Sequence, residues 1–163
     1  MRLKLAAAWV GLQLLFFVGW TGLEHQRVTS GESILVKVVP VDPRDLLRGQ
    51  YLRLAYTFSR PWDSTAAQVP APNDAPVWVV LKPEEQFHVP VRLSLERPVT
   101  LGPGEVALRG RARYGGFIFG VEQYFVPEGT ETPPVRDLAV RLRVTASGTA
   151  QIEQVYVQGR PWP

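Results

Sequence analysis

The amino-acid sequence predicts an all-β domain of about eight strands, a sandwich or a partly open barrel, preceded by one N-terminal transmembrane helix. Two observations carry this prediction. Residues 5–23 contain no charged side chain, whereas the later residues form short segments of alternating polarity separated by turn residues. No stretch after residue 24 keeps the apolar spacing of a helix.

The first segment predicts a signal anchor over residues 1–24, which leaves residues 25–163 as an extracytoplasmic β domain. As a helix, residues 5–23 rise roughly 28 Å, close to the hydrocarbon thickness of a bilayer. Arg2 and Lys4 precede the run, and basic residues stay on the cytoplasmic side. We therefore expect a single-pass protein of the cytoplasmic membrane with its N-terminus in the cytoplasm. A cleaved signal peptide is the alternative, although its best cut, after Thr21, lacks the usual small residue.

The strand pattern occurs in eight segments, which are residues 34–39, 51–58, 77–82, 89–95, 105–113, 117–126, 138–145 and 150–158. Glycine or proline residues, which are typical of turns, occur in most of the connections between them. Residues 59–76 contain four prolines and no period, so they predict a long loop. Single helical turns are predicted over 42–47 and 83–86.

Composition excludes several classes of protein. The chain has 18 Lys+Arg against 15 Asp+Glu, too small a surplus for the basic footprint of a nucleic-acid-binding protein. It has no cysteine and two histidines, which excludes disulfides, thiol nucleophiles and Cys-rich or His-rich metal sites. No serine lies in a nucleophile-elbow or Ser-x-x-Lys pattern. We expect no nucleic-acid partner, metal or cofactor.

The densest motif covers residues 40–56 and reads PVDPRDLLRGQYLRLAY. An Asp-Pro pair starts a turn, its charged residues can pair across that turn, and a glycine ends it. In the following strand, period two places Tyr56 beside Leu52 and Leu54 as a core residue with its hydroxyl hydrogen-bonded. Tyr51 and Arg53 face the other way. The predicted binding or fold-defining surface comprises Asp42, Arg44, Asp45, Arg48, Gly49, Tyr51 and Tyr56.

This motif resembles the one that names the GDYXXLXY protein family, through Gly49, Tyr51, Leu54 and Tyr56. Residues 121–129 and 157–161 are similar to later blocks of that family. The resemblance implies a membrane-anchored, extracytoplasmic protein that acts with a multi-span membrane protein, and it implies no particular activity. The family's aspartate is Gln50 here. Glutamine cannot serve as a carboxylate base or a charged metal ligand, which favours a structural motif.

The main alternative to a binding module is an envelope hydrolase whose catalytic groups are carboxylates. Asp42 or Asp45 with Glu122 or Glu128 can form the carboxylate pair of glycoside hydrolysis, provided that they converge in one cleft. The same oxygens can bind Ca²⁺. The interpretation that these residues favour over both is ordinary surface charges or a buried Glu–Arg pair. The sequence contains no convincing catalytic set, which favours a binding module over an enzyme.

Arg109, Arg111 and Arg113 alternate along one predicted strand and therefore form a basic stripe on one face. This stripe either pairs with Glu122 across a hairpin or holds an anionic glycan or lipid headgroup. Together, the sequence predicts a membrane-anchored accessory or binding module that contacts the bilayer through residues 5–23 and an integral membrane protein through its β domain.

Overall fold

The computed structural model describes residues 2–29, 31–39, 47–48, 51–127 and 137–162. The chain divides into two units, which cover residues 1–31 and 32–163. The first contains one long helix, and the second contains the sheets. The predicted boundary lies earlier in the chain, between residues 24 and 25.

Helix α1 spans Arg2–Thr29. It continues past residue 24 because residues 25–29 contain neither glycine nor proline to end it. Large apolar side chains along its middle are exposed, namely Trp9, Val10, Leu12, Leu14, Leu15, Phe16, Phe17, Val18 and Trp20. Within the described part of the chain, no helix has both the length and the apolar content needed to cross a membrane.

The second unit is mostly β, as the sequence predicts. Its described strands are β1 (Gly31–Lys37), β2 (Leu47–Arg48), β3 (Tyr51–Arg53), β4 (Pro76–Glu84), β5 (Phe87–Ser94), β6 (Val106–Arg113), β7 (Gly116–Ile118), β8 (Gln123–Phe125), β9 (Leu138–Thr145), β10 (Ala150–Val157) and β11 (Arg160–Trp162). They form three sheets, in the orders β1-β9-β10-β11, β2-β3-β8 and β5-β4-β6-β7. The structure thus has more strands than the predicted eight, because the predicted strand over 117–126 is divided into β7 and β8, and the short strands β2 and β11 lie outside the predicted segments.

The predicted strand over residues 51–58 ends at Arg53 and gives way to a short 3₁₀ helix, Thr57–Ser59. The Ser59 N–H donates to the Tyr56 carbonyl at 3.0 Å, and the Ser59 hydroxyl accepts the Tyr56 N–H at 3.3 Å. These local hydrogen bonds take the place of hydrogen bonds to a neighbouring strand, and serine side chains compete with secondary structure in this way. The chain leaves the sheet at this break, but its alternate side chains still point into the core.

Two smaller predictions differ from the structure. The predicted helical turn over residues 83–86 is wrong, since β4 continues to Glu84 and the next two residues form the turn of the β4–β5 hairpin. The predicted loop over 59–76 contains one short helix, α2 (Ser64–Ala67), whose Ala66 N–H donates to the Asp63 carboxylate at 2.7 Å. The other predicted turn, over 42–47, lies outside the described residues except for Leu47, which belongs to β2.

The hydrophobic core consists of inward-facing side chains from all three sheets. On the motif segment, Leu52, Leu54, Tyr56 and Phe58 are buried, whereas Tyr51 and Arg53 are exposed. This alternation is the one the sequence predicts. Burial of such aliphatic and aromatic side chains stabilises the domain by roughly 25 cal/mol per Å² of apolar surface removed from water.

Trp78 lies on the opposite face of β4 from the main core, yet it is also buried. The turn between β9 and β10 covers its ring, and the Arg109 N–H in β6 donates to the Gly148 carbonyl of that turn at 2.8 Å. The Arg97 guanidinium lies 5.8 Å from the centre of the same ring. The β9–β10 turn therefore joins two of the sheets.

Candidate functional site

Strand β3, the motif strand, lies at the centre of its small sheet. Tyr51, Leu52 and Arg53 pair with Phe125, Tyr124 and Gln123 of β8. On the other side, Arg48 of β2 pairs with Tyr51. The fold thereby brings the motif strand beside residues 123–125, which belong to the block linked to the motif only by family resemblance.

Tyr56 anchors the motif in the core. Its hydroxyl donates to the Val121 carbonyl at 2.7 Å, and its ring stacks on Phe58 with centroids 4.9 Å apart. Burial raises the pKa of the Tyr56 phenol far above its usual range, and the negative charge of Glu122 raises it further. The phenol therefore stays protonated and acts as a structural hydrogen-bond donor.

Replacing Tyr56 by phenylalanine should lower the free energy of unfolding by about 1–2 kcal/mol, because the Val121 carbonyl loses its donor in a buried site. Urea unfolding of the full chain in a mild detergent, followed by near-ultraviolet circular dichroism, measures the loss. Tyr114→Phe is the matched control, since Tyr114 is 88% exposed and should change little. Equal stability of Tyr56→Phe and the wild type would contradict this role for the hydroxyl.

Glu122 organises the turn between β7 and β8. Its two carboxylate oxygens accept the backbone N–H groups of Phe119, at 2.6 Å, and Gly120, at 2.9 Å. Its own carbonyl accepts the N–H of Leu54 at 2.9 Å. Among the described residues, the ion pairs join Arg92 to Glu105 and Arg143 to Glu153, so the arginine stripe does not pair with Glu122 there.

An aromatic pair is exposed on the outer face of the small sheet. The rings of Tyr51 and Phe125 meet edge to face, with centroids 5.5 Å apart, and the two residues are 48% and 57% exposed. Cross-strand register places Arg53 and Gln123 on the same side. We call these four residues, Tyr51, Arg53, Gln123 and Phe125, the aromatic face.

A groove of about 660 Å³ adjoins this face. Two arginines, Arg53 and Arg60, contribute to its walls together with Glu122, and Ile118 and Gly120 complete the side nearest β7. The groove therefore carries charges of both signs. Within the described residues no group of three or more histidine, aspartate or glutamate side chains is placed to hold a metal ion.

Several predicted site residues lie outside the described residues, namely Asp42, Arg44, Asp45, Gly49 and Glu128. The carboxylate pair that includes them stays a prediction. Of the remaining ones, Arg48 lies in β2, Tyr51 on the aromatic face, and Tyr56 in the core. Sequence reasoning missed Phe125, because its proximity to the motif depends on distant strand pairing. It missed Arg60 because the pattern predicts only a loop there.

The fold and this surface define a mostly β domain in which a motif strand presents an exposed aromatic pair beside a groove with charges of both signs. Residues 13–155 match the sequence model of the family described as "GDYXXLXY protein", and the chain belongs to this family. Among curated proteins and among solved structures, the comparisons found no match.

Proposed function

We propose that this protein is a membrane-anchored, extracytoplasmic accessory or binding module that contacts a multi-span membrane protein through its aromatic face. The observation that carries the proposal is the exposed pair of Tyr51, on the motif strand, and Phe125, on the neighbouring strand β8. The proposed mechanism is binding, with the β domain as a rigid support for the contact surface.

The composition of the aromatic face supports a protein partner. Tyrosine, phenylalanine and arginine are enriched in protein interfaces, and a few such residues carry most of the binding energy. Two half-exposed rings that already meet edge to face lose little conformational freedom when a partner covers them. Arg53 on the same side adds hydrogen-bond donors at the margin of the pair.

The N-terminal run supports a membrane location. Residues 5–23 contain no charged side chain, and the large apolar side chains between Trp9 and Trp20 are exposed. Exposed apolar surface of this extent is costly in water and is stabilised by lipid or by a partner helix. With Arg2 and Lys4 on the cytoplasmic side, the β domain lies outside the cytoplasm.

The proposal is tested by replacing Tyr51 or Phe125 with a photo-crosslinking phenylalanine analogue in cells, with Tyr114 as the matched control position. We expect irradiation to join positions 51 and 125 to one multi-span membrane protein, which mass spectrometry identifies. Position 114 is 88% exposed and lies in the β6–β7 turn, outside the sheet of Tyr51 and Phe125, so it should not crosslink to that protein.

Recovery of that partner in mild detergent then measures the contribution of the rings. Truncation of both, in Tyr51→Ala/Phe125→Ala, should weaken binding at least roughly 30-fold, the loss typical of interface hot spots. An Arg48→Ala variant tests the neighbouring strand in the same assay. Crosslinks to soluble proteins alone, or undiminished recovery with the double variant, would refute the proposal.

A further inference from the structure

Two adjoining concavities of the β domain carry a concentration of arginine. One is the groove described above, which Arg53 and Arg60 line. The other, of about 400 Å³, is lined by Arg109, Arg111 and Arg113. Ile118 and Gly120 belong to the walls of both. We call the five residues, Arg53, Arg60, Arg109, Arg111 and Arg113, the arginine surface.

The β6–β7 register explains why the stripe borders this groove. The exposed positions of β6 alternate with buried ones, so the three stripe arginines lie on its outer side. Arg111 is the cross-strand partner of Ile118, which is 43% exposed, and partners in a ladder point to the same side of a sheet. The end of β7 therefore separates the two groups of arginines without burying either.

Few negative charges offset these arginines. Asp74 and Glu122 are the acidic residues in the two walls, and both carboxylate oxygens of Glu122 accept backbone N–H groups. Neither of the two ion pairs among the described residues involves the arginine surface. Its guanidinium groups therefore keep N–H donors available for an external anion, and Arg113 is also held over the ring of Tyr114, 5.8 Å from its centre.

We propose that the arginine surface binds phosphate groups. The guanidinium fork matches phosphate oxygens in pairs, and an anion with more than one negative charge relieves the repulsion among five neighbouring cations best. The exposed Ile118 between the two groups suits a phosphate ester that carries an apolar part. A lipid headgroup and a free oligophosphate share this chemistry, and the inference does not depend on the proposed protein partner.

Calorimetric titration of the full chain in an uncharged detergent tests the proposal. The probes are sodium tripolyphosphate and dihexanoyl phosphatidylglycerol, with dihexanoyl phosphatidylcholine as the lipid without net charge. We expect saturable binding of at least one anionic probe. The variants Arg60→Gln and Arg111→Gln, one from each concavity, should each weaken it about tenfold, as expected for the loss of one charge-assisted hydrogen bond.

The matched control is Arg160→Gln, because Arg160 is exposed on β11, in another sheet. Circular dichroism verifies that all variants are folded. Binding of tripolyphosphate identifies a free oligophosphate site, and binding of phosphatidylglycerol alone identifies a lipid headgroup site. Any one of three results would overturn the proposal. The first is that neither anionic probe binds, and the second is that Arg160→Gln weakens binding as much as the other two variants do. The third is that polygalacturonate, which carries carboxylates instead of phosphates, binds as tightly as the phosphate probes.

Discussion

Replacing Phe58 by alanine is expected to lower the free energy of unfolding by about 3–5 kcal/mol, the largest effect of any change considered. Phe58 is 1% exposed. Its ring stacks on Tyr56 at 4.9 Å and meets the edge of Phe119 at 5.2 Å. Truncation removes both aromatic contacts and leaves a cavity, which surrounding groups fill only in part.

Urea unfolding of the full chain measures this loss, and Phe125→Ala is its control. Phe125 is the same residue type at 57% exposure, so its truncation should cost about 1 kcal/mol or less, mainly through the lost contact with Tyr51. Comparable losses for the two variants would show that burial at position 58 does not carry the stability assigned to it.

The second large effect is expected at Gly148, in the β9–β10 turn. Gly148→Ala should lower the free energy of unfolding by about 3 kcal/mol, the sum of backbone strain and overpacking. Its φ is +84°, and a Cβ there would lie 2.4 Å from a ring carbon of Trp78 and 3.2 Å from the Ala107 carbonyl oxygen. The Trp78 ring is itself buried, so it has little room to move.

Gly115→Ala separates the two causes. Gly115 has nearly the same φ, +79°, yet a Cβ there meets no atom within 4 Å. Its substitution should therefore cost only the strain of a left-handed residue, about 1–2 kcal/mol. Thermal and urea unfolding of both variants, monitored through tryptophan fluorescence, test the difference. A Gly148→Ala protein as stable as the Gly115→Ala protein would rule out the clash with Trp78.

Much of the β domain follows from local pattern. Period two alone predicts that Leu52, Leu54 and Tyr56 face inward, because every second side chain of a strand points to the same side. It also predicts the exposed stripe of Arg109, Arg111 and Arg113. The breaks at residues 54–59 and 119–122 are not predicted by this pattern, since the Ser59 hydroxyl and the Glu122 carboxylate accept backbone N–H groups there and outweigh it.

The sequence by itself determined the uncharged run over residues 5–23, the mostly β class of the domain and the inward face of the motif strand. Each of these depends on the polarity of residues close in the chain. Only the tertiary structure decided that Tyr56 reaches Val121, 65 residues away, that Phe125 joins Tyr51, and that the groove with Arg60 adjoins the concavity of the stripe arginines. Such contacts depend on which distant strands pair, and that choice is made by the packing of the whole core, which no local period encodes.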